Sequence, residues 1–248
     1  MLMLYDCAGM MPSYGYRIGG DFVRGNNRGG YGLPLSASER DRVLLLRMYD
    51  KLYRKAPDAV PAEFLARFAG LWLTGRSGGS SWKLQQKTDP GVLPDYSEER
   101  GQSSNPPVND DGDPVFYRTP ETLESAVNDG ERFQFFRRKA RERNCPFADR
   151  IYADFLREQF GNPPVNHWNI TKEERDLLAN LPDSETITRL ADGIRRFRMP
   201  DGHNFITLYR ELKEWDTLAS VYMSRFQLDR ALKEYRKTNN TYMIQQIT

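Results

Sequence analysis

Residues 36–73, SASERDRVLLLRMYDKLYRKAPDAVPAEFLARFAGLWL, decide the fold class. Ser36 followed three residues later by Glu39 has the pattern of a capping box, which satisfies orphan backbone donors at a helix start. Behind it Val43, Leu44, Leu45, Leu46, Met48, Tyr49, Leu52 and Tyr53 cover a broad apolar face. A helix over 38–55 with that face is buried on more than one side. Pro61 suits the first turn of a second helix, where its missing N–H needs no partner. Phe64, Leu65, Phe68, Leu71 and Trp72 then recur at helical spacing until Gly75. The stretch predicts a helical hairpin.

Working outward, residues 1–35 hold Gly9, Gly15, Gly19, Gly20, Gly25, Gly29, Gly30 and Gly32 among aromatics and arginines. Backbone entropy disfavours a helix there, and an extended arm is expected. Residues 74–118 carry Gly78-Gly79, Pro90-Gly91, Pro106-Pro107 and Asp110 to Pro114, which rule out a continuous element and predict a long linker or strap. Helical signals return over 119–248. Thr119-Pro120-Glu121 has the form of a helix start, Ile151 to Phe160 is followed by a Gly161 stop, and Thr171 with Glu174 is another capping box. Short helices are expected at 184–197, 204–214, 216–225 and 227–237. Leu218, Ala219, Tyr222, Phe226, Ala231, Leu232 and Tyr235 resemble tetratricopeptide hairpins, but no 34-residue period recurs upstream. The predicted fold is all-α and extended: a 1–35 arm, a 36–73 hairpin, a 74–118 linker and a 119–248 helical domain.

Composition narrows the function. With 248 residues, 39% hydrophobic and 12% aromatic, the chain can bury a real core. A charged fraction of 28% and a mean hydropathy of −0.72 put much of its length in solvent or against polar partner surfaces. The balance of 36 basic and 34 acidic residues argues against general nucleic-acid binding from net charge. No apolar run of ~18 residues exists, so no membrane-spanning helix is expected. The start, Met1 to Asp6, has neither a secretory pattern nor an Arg-rich leader. Cys7 and Cys145 form no disulfide framework, which suggests a reducing compartment. His167 and His203 sit in no metal-ligand spacing. Cys145 has no histidine near it in sequence, and the acidic pairs lie in polar segments. No catalytic residue, cofactor or metal site is therefore expected, and the chain is expected not to be an enzyme.

The concentrated basic stretch is 132–143, with Arg137, Arg138, Lys139, Arg141 and Arg143 beside Phe133, Phe135 and Phe136. Contact with RNA or anionic lipid is one reading; an amphipathic helix whose arginines are solvated or paired with a partner's carboxylates is favoured over it, because Glu131 and Glu142 flank the cluster and the whole chain is nearly neutral. Arg137, Arg138 and Arg141 are thus candidate partner contacts. So are Tyr5, Tyr14, Tyr16, Phe22 and Tyr31, the aromatic anchors of the arm.

Ala8-Gly9-Met10, Gly15, Asp21, Leu33-Pro34, Asp41-Arg42 and Pro61 to Phe64 occur in an order that resembles the 14 kDa matrix-side subunit family of mitochondrial ubiquinol-cytochrome c reductase, respiratory complex III. The resemblance covers residues 4–68. The acidic pair of that family is reduced here to Gly20-Asp21, with a Gly/Asn/Arg-rich insertion at 24–32. Leu52-Tyr53-Arg54 and Leu208-Tyr209-Arg210 each resemble the signature of small mitochondrial Leu-Tyr-Arg proteins, which are assembly factors and accessory subunits. The resemblances imply a non-catalytic accessory subunit, peripheral on the matrix side of the inner membrane, contacting cytochrome b and the core subunits. The alternative is an accessory protein of another mitochondrial assembly, such as the ribosome, with RNA as partner, or ATP synthase.

Overall fold

The computed structural model describes residues 14–25, 34–76, 78–95, 107–161, 170–190 and 193–248. It is mostly helical, with two small antiparallel sheets among the described residues. Helix α1 (Ala37–Lys55) starts where the sequence indicates, with Ser36 Oγ accepting from the Glu39 N–H at 3.1 Å. Helix α2 (Ala62–Leu73) follows Pro61, and Gly75 leaves it at φ +66, in the left-handed region open to glycine. Tyr49 of α1 stacks on Phe64 of α2 at 4.5 Å between ring centroids, which closes the hairpin.

Part of the expected arm is a sheet. Strands β1 (Tyr14–Ile18), β2 (Asp21–Arg24) and β3 (Leu35–Ser36) pair antiparallel in the order β2-β1-β3. Gly19 and Gly20, at φ +59 and +91, form the two-residue turn between β1 and β2. Positive φ at both turn positions matches the right-handed twist of the flanking strands. Their conformational freedom thus makes a hairpin rather than a coil.

The described part of the strap lies on the chain's own helices. Residues Gly78–Gln85 form a 3-10 segment that buries Leu84. Beyond it, Arg47 Nε donates to Pro90 O at 2.6 Å and Arg40 Nη1 to Pro94 O at 2.8 Å. The Asp129 N–H donates to Gln86 O at 2.8 Å. These bonds satisfy carbonyls that the prolines and glycines leave without a regular ladder.

Thr119-Pro120-Glu121 opens no helix. Thr122 and Ser125 engage each other's backbone there, a local alternative to helical bonding. Helix α3 (Asp129–Glu142) begins later, with the Asn128 side chain accepting from the Glu131 N–H at 2.9 Å. It packs on α2 through Phe136, whose ring lies 4.1 Å from that of Phe68. Helix α4 (Phe147–Leu156) runs into a π turn, Arg157–Gly161. Helix α5 (Lys172–Ala179) carries the full Thr171–Glu174 capping box.

The helix expected at 184–197 is instead a β-hairpin, β4 (Glu185–Leu190) paired with β5 (Gly193–Arg198). β-Branched Thr186, Ile187 and Thr188 favour it. Both faces are covered at its base. Thr186 Oγ1 donates to Phe160 O at 2.6 Å and Phe197 meets the Phe160 ring, while Ile187 and Ile194 pack with Leu178 and Leu181.

Four short helices follow: α6 (Phe205–Glu211), α7 (Trp215–Ser224), α8 (Leu228–Lys237) and α9 (Thr241–Ile247). Lys213, Phe226 and Asn239, each thirteen residues after the last, turn the chain at φ 59, 59 and 54. Tyr209, Tyr222 and Tyr235 recur in the same register and are all buried. A repeat thus exists at one helix per thirteen residues, a shorter period than the helix pair of a tetratricopeptide unit. A single apolar cluster runs from Leu46 in α1 through Phe68, Phe136 and Leu156 to Tyr235 in α8.

Candidate functional site

The N-terminal sheet positions the described aromatic anchors. Tyr14 and Tyr16 share one face of β1 by the two-residue alternation of a strand, with rings edge to face at 6.0 Å. Tyr14 is 43% exposed. Phe22 lies under the Arg40 guanidinium at 4.3 Å, and Gly15 leaves room for its ring, which a Cβ would meet at 2.5 Å. Arg17 pairs with Asp95, and Arg24 with Asp41 at 2.5 Å, so the sheet is tied to the strap and to α1. Tyr5 and Tyr31 lie outside the described residues.

Between sheet and helices runs a groove of about 580 Å³, lined by Tyr14, Tyr16, Leu35, Glu39, Arg42 and Thr74 among others. Glu39 is buried in it and accepts from Arg42 Nη2 at 2.7 Å and from Arg76 Nη2 at 2.6 Å. Burial pushes the Glu39 carboxyl up, but hydrogen bonds and charge from Arg42 and Arg76 outweigh it and hold the group below its ordinary value. Arg42 shares α1 with Glu39, so the buried Arg76 is the partner that fixes where α1 meets the chain after α2.

The basic stretch of α3 faces the chain itself. Arg132 Nη1 donates to Thr88 O at 2.5 Å and to Asp129 at 3.1 Å. Arg137 is buried; its Nε donates to Asp149 at 2.6 Å, its Nη1 to Gln134 Oε1 at 3.1 Å, and its guanidinium lies 4.3 Å over the Tyr152 ring. Arg138 bonds Glu121 O at 2.8 Å, Lys139 pairs with Glu142 at 2.9 Å and Arg141 with Asp149 at 3.2 Å. Arg143 reaches back to Pro57 O at 2.9 Å and to Val60 O, which fastens the turn of the first hairpin. Of the arginines expected to face partners, Arg137 is withdrawn into the core. Arg138 and Arg141 remain accessible, with 33% and 51% of their side chains exposed.

Tyr152 of α4 and His203, far apart in sequence, meet beneath Arg137. The Tyr152 hydroxyl and His203 Nδ1 share a hydrogen bond, with the hydroxyl as donor when the imidazole proton sits on Nε2. Burial, helped by the Arg137 charge, lowers His203 to about 4, and burial raises Tyr152 above its ordinary value. Both groups stay neutral at pH 7, which favours a structural hydrogen bond over acid–base exchange. Beside them, Tyr117 and Gln159 line a cavity of about 20 Å³, the size of one ordered water, and neither side chain has a hydrogen-bond partner among the described residues. No spacing rule flags these residues, because three separate elements bring them together.

The chain matches no protein-family model, no curated protein and no solved structure. Among the described residues no three His, Cys, Asp or Glu side chains are placed to hold a metal ion, and no helix is long and apolar enough to cross a membrane.

Proposed function

We propose that this protein is a non-catalytic accessory subunit of a large mitochondrial assembly, with complex III as the host that the sequence resemblance suggests. The observation that supports a docking role most directly is the Tyr14–Tyr16 face, with Tyr14 exposed and Tyr16 half-buried, beside a broad groove, on a sheet fixed to the body by Arg17–Asp95 and Arg24–Asp41. Aromatic side chains held on a rigid element bury much area at low entropic cost, as interface anchors do. The ribosomal alternative keeps only Arg138, Lys139 and Arg141 at the surface of the cluster, because Arg132 and Arg137 are engaged inside the chain.

The test is co-purification of the tagged full chain from detergent-solubilised mitochondria. Co-migration with the haem b and c spectra is the expected result. Co-migration with ribosomal RNA or with ATPase activity transfers the chain to another host, and migration as a free monomer defeats the proposal.

A further inference from the structure

The α7–α8 turn and the base of the second hairpin gather arginines around one carboxylate. Asp183 accepts from Arg210 Nη2 on one oxygen and pairs with Arg230 Nη2 on the other, both at 2.7 Å. The Tyr222 hydroxyl adds bonds at 3.1 and 3.2 Å. Beneath lies Arg225, 1% exposed, whose donors reach only the carbonyls of Pro182 and Glu185, at 3.4 and 3.1 Å. Three guanidinium charges thus converge where one carboxylate answers them. A buried cation bonded to carbonyls alone is under-compensated, and the field it adds at the surface favours a second anion.

The rim extends the same sign. Arg196 Nε holds Glu185 at 2.8 Å, and Arg198, across the ladder from Glu185, is exposed with no hydrogen bond or ion pair among the described residues. Arg210 and Arg230 keep 44% and 43% of their side chains exposed. Arg230 is held 4.4 Å over the Tyr222 ring, so its fork is already oriented. Glu211 and Asp229 are each one residue from an arginine, which on an α-helix is a rotation of about 100°.

We propose that this surface docks an acidic segment of a partner protein, with its carboxylates on Arg198, Arg210 and Arg230. The proposal rests on the accessory-subunit reading and names the chemistry of one contact. Carboxylates are favoured over a nucleic-acid backbone for two reasons. The arginines already grip a carboxylate in this geometry, and Asp183 and Glu185 would repel a continuous run of phosphates while leaving room for spaced side chains.

The experiment is fluorescence anisotropy of the full chain with a labelled peptide whose Asp and Glu residues are separated by Gly and Ser, with poly(U) RNA as the second probe. Arg210→Gln/Arg230→Gln should weaken peptide binding about tenfold, whereas Lys51→Gln/Lys55→Gln, which removes equal charge from the exposed face of α1, should leave it unchanged. Asp183→Asn should tighten binding several-fold by removing the internal competitor. If the double arginine variant loses its far-UV circular dichroism, Arg198→Gln carries the test, because that side chain supports no neighbour, and it should weaken binding by itself. Affinity that ignores the arginine changes, no peptide binding at all, or an unchanged Asp183→Asn affinity overturns the proposal. Tighter binding of poly(U), lost in the same arginine variants, overturns it in favour of nucleic acid. Because the peptide reads this surface alone, its failure leaves the co-purification result standing.

Discussion

Buried polar side chains give this protein a pH dependence that its near-neutral composition hides. His203 is held near pKa 4 in the fold against an ordinary value of 6.5, mainly because burial penalises the imidazolium. The unfolded chain therefore binds the extra proton first, and stability is full above pH 6.5 and falls as the pH drops towards 4. The loss should reach about 2 kcal/mol once solvent screening of a partly exposed ring is allowed for. Urea titrations between pH 7 and 4.5 should show that slope in the native sequence and a flatter profile in His203→Gln. An equal slope in both would assign the effect to other groups. Legibility at this scale followed locality. The Ser36 and Thr171 caps obey rules confined to four residues, so they could be read directly. Arg137 could not, because its Asp149 partner lies on the next helix and a run of six cations reads the same whether it faces solvent or core.

Elements were legible where periodicity was strong and lost where it was short. The hairpin of α1 and α2 carried long apolar stripes, whereas Glu185–Leu190 spans only 6 residues, over which a helical and a strand pattern score alike. The thirteen-residue repeat escaped because its turns are a backbone state, left-handed at three unlike residues, Lys213, Phe226 and Asn239, and its one side-chain mark is a tyrosine at a period shorter than the 34 residues sought. What the repeat does preserve is an anchored tyrosine: Tyr209 donates to Asp154 at 2.7 Å and Tyr222 to Asp183, both from elements earlier in the chain. Helices α6 and α7, too brief to be stable alone, are thereby pinned to what precedes them. The left-handed turns carry a steric cost that glycine would not. Lys213→Gly, at φ 59 with its side chain outside the core, should therefore stabilise the protein by about 0.5 to 1 kcal/mol. Thermal unfolding checks this. A lower melting temperature would mean that the Lys213 side chain contributes more than its backbone costs.

Across the whole molecule, the strap changes the architecture. With 74–118 as a free linker, 36–73 and 119–248 would be separate bodies, each needing its own core. Instead Phe68 of α2 faces Phe136 of α3 at 4.1 Å, Asp129 caps Gln86 and Thr88, and the apolar cluster continues to Trp215 and Tyr235. Small bodies of this size gain most of their stability from shared burial, so unfolding one should expose the face on which the other rests. Trp72, 2% exposed in α2, and Trp215, under Lys237 at the far end, report on the two ends. In variants retaining only Trp72 or only Trp215, urea unfolding should give one shared midpoint. Phe68→Ala removes a fully buried ring and should cost about 3 to 5 kcal/mol. That loss should move both midpoints together, although Phe68 lies near only one of the reporters. If Trp72 shifts and Trp215 does not, the chain folds as two independent domains, and the contacts between α2 and α3 are a docking of finished parts rather than a common core.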